Sequence, residues 1–250
     1  MEITSRIIKG GALLEESRRF VESWDDEKTG VENLKDLQAR NLLGKRSRSR
    51  AEDTLAILRQ RLVSEDTRTV PALRTLVVRA NAFRDACYYE AARNDALLAH
   101  IAGEILYDLR DRGWVRVTVE DIDRTLLADP PAPIVVGWGD STRTRVIHGA
   151  LSALRDFGIL EGKAVKHIPA PHISFGGFVY VLGRLRGQAL SAPELITHPV
   201  WRWWLLDDRQ VRAHLLEADR EGLLRFSEAG STVRIDWLVD GLEEMVRAAA

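Results

Sequence analysis

One cysteine in 250 residues, Cys87, leaves no partner for an internal disulfide and no thiolate set for a zinc site. Such usage suits a reducing compartment, and the thiol is expected to be buried and structural. The chain also lacks an excess of charge. With 36 Lys and Arg against 37 Asp and Glu, any attraction for nucleic acid has to be local. No apolar run approaches the roughly eighteen residues of a membrane span, and the N-terminus lacks the apolar core of a signal peptide. Neither insertion nor secretion is expected, and the cytoplasm is. Signatures of chemistry are missing as well. GWGDSTRT, from Gly137, lacks the GK[ST] ending that sets a lysine on phosphates, and neither a G-x-S-x-G elbow nor an H-E-x-x-H pair occurs. His167 and His172 lie five apart without carboxylates or cysteines at ligand spacing. The acids spread along helical faces and form no dyad. No metal, cofactor or catalysis is expected.

What is present is an ordinary soluble composition, 45% hydrophobic and 29% charged, with uneven charge. From Arg40 to Arg61 seven basic residues face Glu52 and Asp53, whereas from Gly187 onward eleven acidic residues face seven basic ones. Residues 1–9 read as an extended arm ended by Gly10-Gly11. A helix with Leu13, Leu14, Phe20 and Val21 inward follows, then a second from Val31 to Asn41. In LLGKRSRSRAEDTLAILRQRL, Gly44 turns the chain and Lys45, Arg46, Arg48 and Arg50 gather at a helix entry that Ser47 or Ser49 can cap. Cations at a positive helix end suit phosphate oxygens. Pro71 opens a further helix, and apolar positions from Asn81 to Leu109 give one long helix or two divided near Asn94-Asp95. Gly113 ends it.

The stretch GWGDSTRTRVIHGALSALRDFGIL, Gly137 to Leu160, is the most informative. Asp140, Ser141 or Thr142 is expected to cap a helix whose buried face is Val146, Ile147, Ala150, Leu151 and Leu154. Thr142, Arg143, Thr144 and Arg145 occupy its first turn, with Arg143 and Arg145 pointing outward, and these are residue types that reach phosphates and base edges. A strand from Trp114 and a helix from Val119 to Leu127 precede it, and DPPAP, Asp129 to Pro133, is expected to be non-helical. Ala164 to Ile168 and Phe175 to Leu182 read as the arms of a hairpin wing carrying Lys163 and Lys166. The order is that of a winged helix-turn-helix.

The C-terminal segment echoes this pattern. Ala213 to Ser227 matches His148 to Gly162 in apolar spacing and in a Gly before two apolar residues, and both lead into hairpins, the second turning at Glu228 to Ser231. A last helix from Trp237 is expected to pack against that hairpin. In VWRWWLL, positions 200, 201, 204 and 205 fit a buried stripe, with Trp203 off it. The expected architecture is mainly α: a helical domain over 1–94, a winged helix-turn-helix over 95–186 and a reduced winged-helix-like unit over 187–250.

The runs ITSRIIKGGALLEESRRFVESWD, Glu32 to Leu34, and NLLGKRSRSRAEDTLAILRQRL resemble the BrxA family, small accessory proteins of BREX phage-exclusion systems. The likeness continues more loosely to the C-terminus. It implies an N-terminal domain similar in fold to the antitermination factor NusB, winged-helix-type elements after it, and non-catalytic binding of double-stranded DNA. It also implies partners from one operon: a methyltransferase, an alkaline-phosphatase-like protein, an ATPase and a second small accessory factor. Family members have been labelled inner-membrane proteins, yet charges interrupt every apolar stretch here, and inserting them would cost about 3 kcal/mol per ion. No functional residue is carried over from the family. The DNA-binding set Lys45, Arg46, Arg48, Arg50, Thr142, Arg143, Arg145, Lys163 and Lys166 rests on charge and helix geometry. Two other functions fit the same chain, an RNA-binding module of NusB type and a protein-interaction scaffold using the acidic C-terminal region.

Overall fold

The computed structural model describes residues 3, 7–63, 68–230 and 232–249. The apolar periodicities of the N-terminal half become helices: α1 (Ile7–Gly10), α2 (Leu14–Glu22), α3 (Gly30–Ala39), α4 (Arg48–Leu62), α5 (Thr69–Leu76), α6 (Ala80–Asn94) and α7 (Ala96–His100). Their starts follow local chemistry. Thr29 and Glu32 exchange hydrogen bonds in a capping box at α3, and the Ser47 hydroxyl accepts from the Arg50 N–H to start α4. Asp95 divides the long apolar stretch, its carboxylate accepting from the Leu98 N–H at 3.1 Å to cap α7. A π-helical turn (Ile101–Leu106) and α8 (Tyr107–Asp111) follow, and Gly113 ends the run at φ +81°.

The second half is also mainly helical. It holds β1 (Arg116–Val117), α9 (Val119–Ala128), α10 (Pro133–Gly137), α11 (Asp140–Asp156), β2 (Lys166–His167), α12 (Phe175–Arg186), α13 (Ala192–Ile196) and a 3-10 helix (Pro199–Trp204). The chain closes with α14 (Asp208–Arg220), β3 (Leu224–Ala229), β4 (Thr232–Trp237) and α15 (Gly241–Ala248). β1 and β2 pair antiparallel through Arg116 with His167 and Val117 with Lys166, while β3 and β4 form a six-residue antiparallel ladder. The fold is mainly α with two small antiparallel β pairs.

Four local expectations are corrected. The N-terminal residues are not a free arm: Ile3 and Ile7 are buried, and α1 lies on α11 and α4. Gly149 of α11 permits this, because a Cβ there would stand 3.4 Å from the Ile7 carbonyl oxygen. Pro133 begins α10 at the first helical position, where a missing N–H costs nothing. Phe175 to Leu182 is not a wing arm but part of α12, buried along most of its length. Finally, α15 packs chiefly on α12 and α5.

α12 is central to the packing, with α6 on one side and α15 on another. Glycines set these distances. A Cβ at Gly177 would stand 2.5 Å from the Asp85 Cβ of α6, and one at Gly183 would stand 2.9 Å from Leu242 of α15. Asp85 also fixes the start of α12, accepting from the Ser174 N–H at 2.9 Å and its hydroxyl at 2.5 Å. Burial raises the Asp85 carboxyl pKa above the ordinary carboxylate value, and the Ser174 hydrogen bonds partly offset this. Cys87 is buried as expected, its thiol pushed up to about 12 by burial. The π-helical turn packs on the 3-10 helix, where Val200, Trp201, Trp204 and Leu205 are the buried stripe and Trp203 stacks beside Tyr89.

Candidate nucleic-acid interface

α9, α10, α11 and the β1–β2 pair form one module. Thr118 starts α9 through a reciprocal box with Asp121. The first residue of α11 is Asp140, preceded by Gly139 as N-cap with no side-chain cap, so the helix begins one step earlier than a cap at Asp140, Ser141 or Thr142 requires. All five residues of its expected inner face are buried. Gly158 closes the helix at φ +82°, and the Ile159 N–H returns to the Leu154 carbonyl at 2.8 Å.

The hairpin that follows is shorter than expected. Glu161 and His167 exchange both backbone hydrogen bonds, at 3.0 and 2.9 Å, so the wing runs over residues 161–167 and presses its second arm on β1. Gly162 is needed at φ +84°, since a Cβ would meet the Val165 carbonyl oxygen at 2.3 Å. Lys163 sits exposed in this loop. Lys166 instead turns inward with 6% of its surface exposed, and its ammonium donates to the Gly162 and Lys163 carbonyls at 3.1 and 2.6 Å. Burial lowers its pKa, with the nearby Arg155 cation acting in the same direction. Lys166 clamps the turn that presents Lys163.

Arg143 does not point outward. It is 7% exposed, ion-paired to Asp123 of α9 and Asp140, and donates to the Trp138 carbonyl at 3.1 Å. The inner face has room for it because α9 supplies a carboxylate where the neighbouring turn of α11 would otherwise bury an unpaired cation. Arg145 does face solvent, with Nε donating to the Ser141 carbonyl at 3.2 Å and no ion pair among the described residues. Thr144 is exposed beside it and Thr142 is half-buried. Arg116, on β1 next to the wing, is a further exposed cation that helical reasoning passed over. The period-two reading of Trp114 to Val119 could have found it.

The first basic cluster is split by the fold. Lys45 is tied to Glu16 of α2 at 2.5 Å and Arg48 to Glu52 one turn on at 2.8 Å. Arg46 and Arg50 are exposed and carry no ion pair among the described residues. These side chains surround the start of α4 at the corner it makes with α3. Farther along α4, Arg61 is buried, donating to the Gly11 carbonyl at 3.0 Å, and burial lowers its pKa to about 10. It holds the turn after α1 and belongs to the core. α1 touches both α4 and α11, so it is the element that links the two basic regions.

Among the described residues no helix is long and apolar enough to cross a membrane. A sequence profile of the BrxA family matches residues 1–176. No curated protein matches the chain. A crystal structure of an uncharacterized protein from Magnetospirillum magneticum superposes with a TM-score of 0.58 at 19% identity, covering 82% of this chain and 98% of that one. At that identity the likeness speaks for the fold alone.

Proposed function

The chain belongs to the BrxA family, and from that premise we propose that it is a non-catalytic accessory factor of BREX-type phage defence that binds double-stranded DNA, mainly through phosphates. The observation that carries the reading is the joint exposure of Arg145 on the first turn of α11 and Lys163 on the wing. Strand, helix, helix and short wing follow one another as in a winged helix, in which one helix enters the major groove and the wing rests on the backbone. Arg46 and Arg50 provide a second phosphate-directed pair at the entry of α4. Nothing in this set favours one base over another, since Arg143, the side chain best placed to read an edge, is spent on Asp123. In this reading the protein works in the cytoplasm alongside the other products of its defence operon, namely a methyltransferase, an alkaline-phosphatase-like protein, an ATPase and a second small accessory factor. The test is a salt titration of duplex DNA binding. A steep salt slope with little sequence preference is expected, and salt-insensitive or absent binding would overturn the proposal.

A protein-docking role for the same module has its own observation. Trp114, Val115, Ile134, Val136 and Val165 are each more than two-fifths exposed in a stretch that otherwise buries its apolar residues. Duplex DNA has no use for such side chains along its backbone. Capture of the other operon products in the absence of DNA, lost on changing Trp114 and Val115 to polar residues, would support this second reading over the first.

A further inference from the structure

We propose that the recess bounded by α5, α6, α12 and α15 is a binding site for a small organic phosphate of nucleotide size. Its volume is about 540 Å³, within the range of roughly 300–1,000 Å³ in which proteins hold small ligands. Arg68, Arg93, Arg184 and Arg186 line it together with Tyr89 and Gln188, and no carboxylate is among the described lining residues. Guanidinium forks match phosphate oxygens in geometry and charge, and four in one recess make an anion the fitting occupant.

The wall is built into the core rather than scattered on the surface. Glu90, fully buried beneath it, accepts from the Tyr180 hydroxyl at 2.7 Å and from Arg93 Nε and Nη2 at 3.1 and 3.0 Å, while Arg184 stands 3.4 Å away. Arg184 also donates to Thr69 at 3.2 Å and lies over the Tyr89 ring. Arg186 reaches Asp240 at 2.6 Å and lies over Trp237. These partners hold the planes of three guanidiniums. Among the described residues, four arginines set against Glu90 and Asp240 leave two positive charges in excess. The depth of the wall selects the kind of ligand. Arg184 and Tyr89 are only 8% and 4% exposed, so a phosphate in the middle of a duplex backbone cannot be lowered onto them, whereas a terminal phosphate on a small molecule can.

Gly187 offers a test that spares the arginines. It lies at the mouth with φ −62°, and a Cβ there meets only the Arg184 carbonyl oxygen at 3.6 Å, so a larger residue fits without strain. Calorimetric titration of the full chain with ATP, AMP, sodium phosphate and adenosine should give binding of ATP and AMP, weaker binding of phosphate and none of adenosine. G187E, which brings a carboxylate to the mouth, should weaken ATP binding at least about tenfold while its circular dichroism stays native and its duplex DNA affinity is unchanged. R68Q should weaken ATP in the same direction. No binding of any phosphate probe at millimolar concentration would overturn the proposal, as would ATP binding to G187E equal to that of the wild type. Loss of DNA affinity in G187E with ATP binding intact would also overturn it, assigning the wall to a nucleic-acid surface.

Discussion

Arg143 of α11 and Asp123 of α9 face each other as a fork on a carboxylate, Nε to Oδ1 and Nη2 to Oδ2, the second at 3.1 Å. Nη1 goes to the Trp138 carbonyl and Nη2 also reaches Asp140 at 3.0 Å. One guanidinium thus joins α9, the end of α10 and the first turn of α11. Its work is to fix the angle at which α11 leaves α9, and through that angle the direction of Arg145.

Arg143→Ala should therefore lower stability by about 1–3 kcal/mol, because it leaves Asp123 and a carbonyl without their donor in a partly buried site. DNA affinity should fall to a similar degree on every duplex. Arg143→Lys should restore charge but not the fork, and recover only part of both losses. Thermal unfolding beside binding to one preferred and one random duplex separates the possibilities. A variant of native stability that loses affinity on the preferred duplex alone would return Arg143 to base reading.

The burial of Arg143 was legible only in part. Asp140 three residues earlier is a visible helical partner, but Asp123 lies twenty residues back, and pairing across α9 depends on how α9 and α11 cross. The inner face of α11 was legible because burial of one stripe needs nothing beyond its own period. α12 was misread for the opposite reason: FGGFVYVLGRLR is apolar on all sides, so it has no stripe, and its β-branched and aromatic residues favour strand on local grounds. What overrides them is α6 and α15 closing on Gly177 and Gly183. The likeness between residues 148–162 and 213–227 does hold at the helix ends. Gly158 and Gly222 both take positive φ, and Ile159 and Leu223 return N–H groups to Leu154 and Ala218 at 2.8 and 3.0 Å. Beyond that the two diverge, one into a short wing and the other into a six-residue ladder.

Gly177→Ala tests the close approach of α12 to α6. In an ordinary helix this change stabilises by about 0.5–1 kcal/mol, since glycine has more conformational freedom to lose. Here the added methyl would stand 2.5 Å from the Asp85 Cβ, and the overpacking should reverse the sign to a loss of about 1–3 kcal/mol. Chemical denaturation reads the sign directly, and a stabilised variant would mean that α6 and α12 are not held this close.

His214 should make the fold acid-sensitive. It stacks on Phe178 of α12 at 4.8 Å, and burial lowers its pKa below the ordinary 6.5, against the opposing pull of Glu217 and with a small push from His172. The neutral ring is thus favoured by folding, and this contribution is complete above pH 6.5 and lost as pH falls through the lowered folded value. His100 and His198 are shifted the same way by burial. Urea denaturation should give lower stability at pH 5.5 than at pH 7.5, by an amount on the order of the shifts involved. H214F, which keeps a ring against Phe178, should flatten part of that slope. A slope identical to the wild type's would acquit His214.

The two exposed cation pairs should separate from the committed ones in a single set of salt titrations. Each phosphate contact removed should flatten the dependence of log K on log salt by about 0.9 on duplex DNA. R145A combined with K163A, and R46A combined with R50A, each delete two side chains that have no ion pair among the described residues. Each double variant should then lose up to about 1.8 in slope on this basis, with the fold intact. Arg48→Ala is the informative contrast. That guanidinium is highly exposed but sits 2.8 Å from Glu52, so it must leave one partner to meet a phosphate, and its deletion should change the slope less than that of Arg46 or Arg50. Arg61→Ala should leave the slope alone and instead loosen the turn after α1, because its donors serve the Gly11 and Ala12 carbonyls. If R145A with K163A leaves both slope and affinity untouched in a folded protein, α11 and its wing are not the DNA-facing side, and the α4 entry has to carry the binding by itself.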